Sequence, residues 1–315
     1  MDADTESYIL LLLSDGNLPT GSFIASSGLE AYEKHGFFRL SSSQNGQVTG
    51  LPPAKTDALI SFMRDSVQTY AHSSLPFVLA VHDACDTLQS HGNAESALSD
   101  ALETIARLDN VCEATTLNHV ARRASTAQGV ALLTLLMKGL VPPTWVGTSD
   151  PGKKRVEAVA DSFKLEIRRG TVHGHLPVCW GVLTAALGLS PSELSNNLPT
   201  FSNAINFGLS QIGRSQYLFL FLHARSLLSA AIRLNSIGPY AAQQLLLHIV
   251  RPLVQAALKE AGALRIHFTP ESISGGSCTD PIIEDGINDG PAVTWPLGEI
   301  LAARHDQQHS RIFNS

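Results

Sequence analysis

The chain has 315 residues, and its 22 lysines and arginines are outnumbered by 28 aspartates and glutamates, which gives a formal net charge of −6. This balance argues against a nucleic-acid-binding protein, because such proteins present an excess of positive charge. Hydrophobic residues make up 44% of the chain, which is enough for a sizeable buried core, so we expect a folded protein. Length alone leaves the number of domains open.

Only 16% of the residues are charged and the mean hydropathy is +0.07, which is typical of a surface that binds other proteins. The N-terminal apolar run, residues 8–13, is short and follows acidic residues, unlike a signal peptide. No apolar run reaches membrane-spanning length, so no membrane partner is expected. The four cysteines lie far apart in the sequence and form no C-x-x-C pair, so we expect free thiols and a cytoplasmic protein. The cysteines are Cys85, Cys112, Cys179 and Cys278.

Apolar residues recur every three or four positions through most of the chain, and alternating β-branched runs are scarce, which predicts an all-α fold. Pro252 should kink or break the last predicted helix, because proline lacks the backbone N–H that a helix interior needs. The predicted helices span residues 56–70, 75–88, 96–112, 114–140, 156–167, 176–187, 202–234 and 239–261.

Three segments rich in serine, glycine and proline are predicted to be loops or inserts, at residues 41–54, 141–155 and 269–297. The second contains the basic run 153–155, which is too short for a nucleic-acid patch and is interpreted as a solvated loop. The third combines acidic residues with glycines and has the composition of a segment that is disordered until it binds. These features divide the chain into a helical domain at 1–268, a flexible insert at 269–297 and a tail at 298–315.

Catalytic motifs are missing from the sequence, which contains no H-E-x-x-H, G-x-S-x-G, C-x-x-C or dinucleotide-binding glycine motif. Residues 16–21 have the glycine spacing of a phosphate-binding loop, but Ser22 stands where the lysine belongs. We therefore interpret residues 15–19 as a turn between helices, and we expect a protein that is not an enzyme.

Two groups of side chains are weak candidates for a metal site. His82 and Cys85 share a helical face with Asp86, and His173 and His175 form an H-x-H pair. Ordinary packing and helix capping are the favoured explanation of both groups, since each group supplies too few ligands to complete a site. No tightly bound cofactor is therefore expected.

Both ends of the chain carry more specific patterns. Gly28 follows several small residues, and glycine inside a helix costs about 1 kcal/mol relative to alanine, so we expect another backbone to approach it closely. At the other end, residues 304–315 combine arginines with two apolar anchors, Ile312 and Phe313, which is the composition of an interface hot spot. This tail either docks on a partner or folds back on the protein's own core.

These end segments resemble the UreF family of urease accessory proteins. The family's N-terminal signature, L-P-x-G-x-F/Y-x-x-S-x-G-L-E, matches residues 18–30. A second block matches residues 230–234 with Gly238 and Gln243, and the C-terminal block R-H-x-x-x-x-S-R-L-F-x-S matches residues 304–315, with isoleucine in place of leucine. A weaker block, G-H-x-P-V, matches residues 174–178. The long inserts resemble those of eukaryotic, fungal members.

The resemblance implies a single compact helical domain of about ten helices, with flexible inserts, a C-terminal tail and no catalytic activity. It implies a homodimer that binds a D/H-type urease accessory protein and a GTPase urease accessory protein, so that nickel is inserted into apo-urease. Nickel would be handled by the whole complex. The alternatives are a metal-dependent helical hydrolase and an unrelated helical interaction module.

The resemblance also assigns a set of partner-binding residues. They are Gly21, Phe23, Gly28, Glu30, Arg233, Gly238, Gln243, Arg304, His305, Arg311 and Phe313. Some members of the family have been suggested to activate the GTPase, which would require an arginine in trans. Arg214, Arg225 and Arg233 are candidates, although an arginine at a helix end commonly pairs with carbonyls or carboxylates.

Overall fold

The computed structural model of this protein describes residues 3–16, 18, 25–40, 53–90, 95–141, 151–189, 213–266 and 290–313. In these ranges all regular structure is helical, which confirms the all-α prediction. The helices are α1 (Ala3–Leu13), α2 (Leu29–Lys34), α3 (Phe37–Leu40), α4 (Pro53–Ser90), α5 (Glu95–Thr115), α6 (His119–Leu135), α7 (Pro151–Arg169), α8 (Leu176–Leu187), α9 (Arg214–Arg233), α10 (Pro239–Leu245), α11 (Arg251–Ala261) and α12 (Pro296–Ala303). One hydrophobic core, with members from Leu13 to Phe313, joins them into a single domain.

Helix α8 lies at the centre of the domain and packs against α4, α6 and α7. Eleven of its twelve residues are buried, because its sequence is apolar on every side. Pro177 fits the first helical turn, where its missing N–H is not needed, and Gly188 ends the helix in the left-handed conformation with φ of 74°. The predicted bounds of this helix are confirmed.

Helix α4 is one element of 38 residues, so the prediction of two separate helices at 56–70 and 75–88 was wrong. Pro76 lies inside it and leaves the carbonyl of His72 without its helical donor. The backbone N–H of Ala292 donates to that carbonyl at 3.3 Å. A distant segment therefore supplies the missing hydrogen bond and lets the helix continue.

The predicted helix 114–140 is divided between α5 and α6. Asn118 starts α6, since its side-chain oxygen accepts hydrogen bonds from the N–H groups of Val120 and Ala121. The predicted loop 141–155 is helical from residue 151, so its basic run belongs to the first turn of α7. Pro252 does not break its helix, because a wider π-helical turn, Leu246–Val250, precedes it.

Residues 290–313, which we call the strap, run along the outside of the domain. Residues 41–52, 142–150 and 269–289 of the predicted inserts lie outside the described residues. Residues 290–297, by contrast, are bound to the domain. The hydroxyl groups of Thr294 and Thr69 form a hydrogen bond of 2.7 Å, and the rings of Trp295 and Phe62 pack edge to face with their centroids 5.1 Å apart. Across the ranges the structure covers, no helix has both the length and the apolar character needed to cross a bilayer.

Candidate functional site

Glu30 holds the end of the strap. Its side chain is fully buried in α2, and its two oxygens accept hydrogen bonds from the backbone N–H groups of Ile312 at 2.9 Å and Phe313 at 3.3 Å. Lys34, one turn later, forms a 3.0 Å ion pair with the same carboxylate and donates to the carbonyl of Ser310. A buried carboxylate requires such donors, so the predicted partner-binding residue Glu30 binds the protein's own strap.

Phe313 and His305 complete this anchor. The Phe313 ring is buried, and the Arg233 guanidinium lies 5.8 Å from its centroid. His305 is also buried, and its Nε2 donates to the carbonyl of Phe313 at 3.1 Å. Burial lowers the pKa of His305, while the neighbouring Glu30 acts in the opposite direction. Of the two arrangements considered for the tail, the structure therefore has the one that folds back on the core.

Gly28 lies next to the strap, immediately before α2 rather than inside a helix as predicted. Its φ of 84° is in the left-handed region, which favours glycine. A β-carbon at this position would lie 3.3 Å from the backbone nitrogen of Ala302. The expected close approach of another backbone is confirmed, and the approaching segment is α12.

Asp306 attaches the strap to helix α6. Both of its oxygens accept hydrogen bonds from Arg123, at 3.0 and 2.9 Å, and Arg311 and His119 lie 3.0 and 3.3 Å from it. The hydrogen bonds from Arg123 are the main reason that the pKa of Asp306 falls to about 2. Arg304 and Arg311 are exposed. Sequence reasoning missed Arg123 as a partner of Asp306, since two charged residues far apart in sequence leave no local pattern.

The strap carries several exposed apolar side chains. Leu297 and Ile300 lie three residues apart on α12 and point to the same side, with Val293 just before them. Leu117 lies near this group, because Leu117, Val293 and Ile300 line the same partly open cavity and neighbouring Asn118 donates from its side chain to the carbonyl of Glu299 at 3.0 Å. Leu117 is 84% exposed and Ile300 59% exposed. We call these four side chains the apolar outer face, and apolar surfaces of this kind commonly bind proteins.

The remaining predicted partner-binding residues lie elsewhere. Gly238 precedes α10 and Gln243 lies on it, and both are exposed, as is Tyr240 between them. Gly21 and Phe23 lie outside the described residues. The structure thus brings five predicted residues into one cluster. It leaves Arg304 and Arg311 exposed and puts two others, Gly238 and Gln243, at the start of α10 and on it. The five are Gly28, Glu30, Arg233, His305 and Phe313.

The loop that carries the H-x-H pair is organised by Asp109, a fully buried residue of α5. One carboxylate oxygen accepts the backbone N–H groups of His173 at 2.6 Å and Gly174 at 2.9 Å, and the other accepts that of His175 at 2.7 Å. These bonds position the start of the central helix α8. Sequence reasoning missed Asp109, because its partners are backbone groups.

The ring of His175 is fully engaged inside the protein. Its Nδ1 lies 3.1 Å from the hydroxyl of Ser125, and its Nε2 lies 2.8 Å from the carboxylate of Glu113. His173 is partly exposed, with its Nδ1 3.9 Å from Glu113. Among the residues with described positions, no group of three or more His, Cys, Asp or Glu side chains is arranged to hold a metal ion.

His82 and Cys85 belong to the core. His82 donates from Nε2 to the hydroxyl of Thr184 at 2.7 Å, since that hydroxyl itself donates to the carbonyl of Trp180. Burial lowers the pKa of His82 to about 4 and raises the pKa of Cys85 to about 12, so the two side chains stay neutral. The Nε2 of His82 is engaged by Thr184, and burial keeps Cys85 as a thiol, whereas the thiolate is the form that binds metals.

Two of the three candidate arginines bind helix α1 or the residue that follows it. Arg214 forms a 2.7 Å ion pair with Glu6, and Arg225 donates to the carbonyl of Ser14. Burial lowers the pKa of Arg225, and Asp15 opposes that shift. Both arginines therefore have the structural pairing that was expected as the alternative to an arginine acting in trans.

Comparison with known proteins identifies the family. The UreF family model matches residues 54–196 and 209–250, which is more than half of the chain. The chain belongs to the UreF family. It is 38% identical to Urease accessory protein 6 of Cryptococcus neoformans var. grubii over 98% of this chain and 97% of that protein. It is 27% identical to an uncharacterized UreF-like urease accessory protein of Schizosaccharomyces pombe over 100% and 99% of the two chains.

A plant relative is also similar. Urease accessory protein F of Arabidopsis thaliana is 28% identical over 73% of this chain and 69% of its own length. The two fungal relatives match this chain almost end to end, so the resemblance to fungal members of the UreF family is confirmed. Their alignments include both the segment around Glu30 and the strap, which lie outside the ranges that the family model matches.

Proposed function

We propose that this protein is a non-catalytic scaffold that joins a D/H-type urease accessory protein to the nickel-carrying GTPase accessory protein during nickel insertion into apo-urease. Membership of the UreF family supports the urease pathway. The apolar outer face of the strap is the observation that supports the scaffold role, because exposed apolar surfaces commonly bind proteins and a buried anchor holds this one in place.

The D/H-type accessory protein binds the apolar outer face in this proposal. Glu30 and Phe313 fix the strap beneath that face, so little conformational entropy is lost when a partner binds. Exposed Arg304 follows Ile300 by about one helical turn and, with exposed Arg311, provides polar groups of the kind that surround a hydrophobic interface centre. His305 and Phe313 act from below as positioning residues, since both are buried.

The GTPase accessory protein binds α10. This helix exposes Tyr240 and Gln243, and the π-helical turn after it exposes Leu247, which is 70% exposed. Tyrosine surrounded by polar residues is common at interface hot spots. Arg233 ends the preceding helix and contacts Phe313, so it links the GTPase surface to the strap.

Two further parts of the proposal concern assembly. The protein forms a homodimer in the cytoplasm, and exposed Tyr8, Leu11 and Leu12 of α1 are an apolar surface suited to a second copy. Nickel is carried by the complex and not held tightly by this chain. Metal analysis of the purified protein separates this proposal from a metal-dependent hydrolase, since only the hydrolase requires a stoichiometric metal ion.

Light scattering after size-exclusion chromatography tests the two surfaces. Ile300→Asp should abolish the complex with the D/H-type protein, because it places a charge at the centre of the apolar outer face. Tyr240→Asp is the matched control on the other surface and should retain that partner but lose the GTPase. If the unaltered protein binds neither partner, or if Ile300→Asp still binds the D/H-type protein at unchanged affinity, the proposal is wrong.

Arg233 has a separate kinetic test. GTP hydrolysis by the partner GTPase should be compared in complexes that contain the unaltered protein, Arg233→Ala or Arg233→Lys. An arginine in trans typically contributes about 10³–10⁵ in rate, and lysine does not reproduce its planar donors. Equal rates in all three complexes would show that Arg233 does not act on the GTPase.

A further inference from the structure

A cavity of about 500 Å³ lies between the strap and the helices, and it is partly open to solvent. Exposed Leu117, Val293 and Ile300 line it, so a molecule can enter from solvent while the protein stays folded. Cavities of about 300–1,000 Å³ with mostly apolar walls commonly bind small molecules. The volume and the access are therefore sufficient for a small organic ligand.

Helix α6 contributes small side chains to one wall of this cavity. Ala121, Ala124 and Ser125 lie three or four positions apart, so they share one face of the helix, and Gln128 continues that face. Alanine and serine leave space that a larger side chain would occupy. A substitution at Ala124 can therefore fill the cavity without touching the other walls.

A second wall is aromatic. Tyr70 stacks on His223, with the ring centroids 4.1 Å apart, and on Phe219, with the centroids 5.0 Å apart. The Trp180 ring lies 5.6 Å from Phe219, and all four rings line the cavity. Aromatic rings pack favourably against other aromatic rings, so this wall suits a flat, aromatic ligand.

The cavity carries almost no charge. Among the described residues that line it there is no lysine, arginine or aspartate, and Glu299 is the one glutamate. Burial raises the pKa of Glu299, against the effect of its hydrogen bond with Asn118, and lowers the pKa of His223 to about 4. Because burying an unpaired charge is costly, the cavity favours an uncharged ligand.

Gln128 is a buried polar side chain of this cavity without a hydrogen bond. It is only 9% exposed, and it forms no hydrogen bond with any residue that the structure describes. By contrast, the Thr116 and Ser226 hydroxyls donate to backbone carbonyls, and the Ser125 hydroxyl is paired with His175. A buried carboxamide needs a partner, and it can donate and accept at the same time.

We propose that this cavity binds an uncharged, largely aromatic molecule that presents an amide-type edge, a hydrogen-bond donor beside an acceptor, to Gln128. The rings of Tyr70 and Trp180 contact the flat part of the ligand. The carboxamide of Gln128 donates to the ligand's carbonyl and accepts from its N–H. The site belongs to this chain alone, so the proposal does not depend on the scaffold function proposed above.

Three probes that share one ring system test the site by equilibrium dialysis with the full chain: naphthalene-2-carboxamide, 2-naphthoate and naphthalene. The carboxamide should bind at least about tenfold more tightly than naphthalene, because it adds two hydrogen bonds to Gln128. The naphthoate has nearly the same shape but carries a charge, so it should bind at least about tenfold more weakly than the carboxamide.

Two variants locate the bound probe, and circular dichroism checks that each is folded. Gln128→Leu should still bind naphthalene but lose the preference for the carboxamide, because leucine cannot form hydrogen bonds. Ala124→Trp should abolish binding of the carboxamide by filling the cavity. Ala127→Trp is the matched control, because Ala127 is exposed on the same helix and its replacement should leave binding unchanged.

Three results would overturn the proposal. The first is that the unaltered protein does not bind the carboxamide, and the second is that it binds the naphthoate equally well. The third is that the preference for the carboxamide over naphthalene survives in Gln128→Leu, which would place the probe at another site.

Discussion

Replacing Asp109 by alanine should destabilise the whole domain, because this carboxylate accepts three backbone hydrogen bonds at the start of its central helix. The N–H groups belong to His173, Gly174 and His175, at 2.6, 2.9 and 2.7 Å. Hydrogen bonds to a charged group contribute about 1.5–3 kcal/mol each, and a buried donor left without a partner costs about 1–3 kcal/mol. Water that enters beside the half-exposed His173 offsets part of this loss, so we expect a total of about 4 kcal/mol.

Urea unfolding monitored by circular dichroism measures this free energy. Asp109→Ala should lower the midpoint at an unchanged m-value, because the folded structure is retained and only its stability changes. Asp109→Asn should cost about 2 kcal/mol, since the amide keeps one acceptor oxygen but loses the charge. Asp100→Ala is the control, because Asp100 is exposed on the same helix and should change stability by less than about 0.5 kcal/mol.

The result that would refute this reasoning is a loss below about 1 kcal/mol for Asp109→Ala. Such a loss would mean that the loop before α8 finds other partners for its three N–H groups. The expected loss is a large share of the roughly 5–15 kcal/mol that stabilises a typical domain. Much of the Asp109→Ala protein should therefore unfold at temperatures that the unaltered protein tolerates.

Three other predictions concern stability. Gly129→Ala should lower the free energy of urea unfolding by roughly 2–3 kcal/mol, because the new β-carbon would overlap the carbonyl oxygen of Gly174. A smaller effect would show that α6 can shift. Gly28→Ala should cost about 1 kcal/mol, since its φ is 84°, and an unchanged midpoint would contradict the strain. The free energy of unfolding should fall as pH decreases from about 6.5 to 4. In the unfolded chain His82 and His223 bind protons at their ordinary pKa near 6.5, whereas burial lowers their pKa in the folded protein to about 4. Thermal melts across this range should therefore slope less in His82→Gln, and an identical slope would exclude that residue.

Much of the fold could be predicted from local sequence. Helix α8 was predicted at its correct bounds, because an unbroken apolar run between a proline and a glycine has few other solutions. The continuity of α4 through Pro76 could not be predicted, since the compensating donor is Ala292, which comes from the opposite end of the chain. Local propensity describes a helix well until a tertiary contact replaces one of its hydrogen bonds.

The candidate site was predicted in its parts but not in its arrangement. Composition and family resemblance identified Glu30, Arg233 and Phe313, and the structure brings all three together. Their pairing inside the protein could not be read from the sequence, because hot-spot composition is the same whether the anchor is buried in a partner or in the chain itself. Asp109 left no signal for a related reason, since every non-proline residue offers the backbone N–H that it binds.

The contact between Glu30 and Phe313 also has a consequence for biosynthesis. Residues 304–313 leave the ribosome after Glu30, Arg123 and Arg233, to which they bind, so the fold is incomplete until residues 304–313 have been synthesised. A product that ends before Ile312 would keep a buried carboxylate without two of its donors, and the surface under the strap would be open to chaperones and proteases. The buried Glu30 thus couples completion of the fold to completion of synthesis, because only a chain translated as far as Phe313 can form both of these hydrogen bonds.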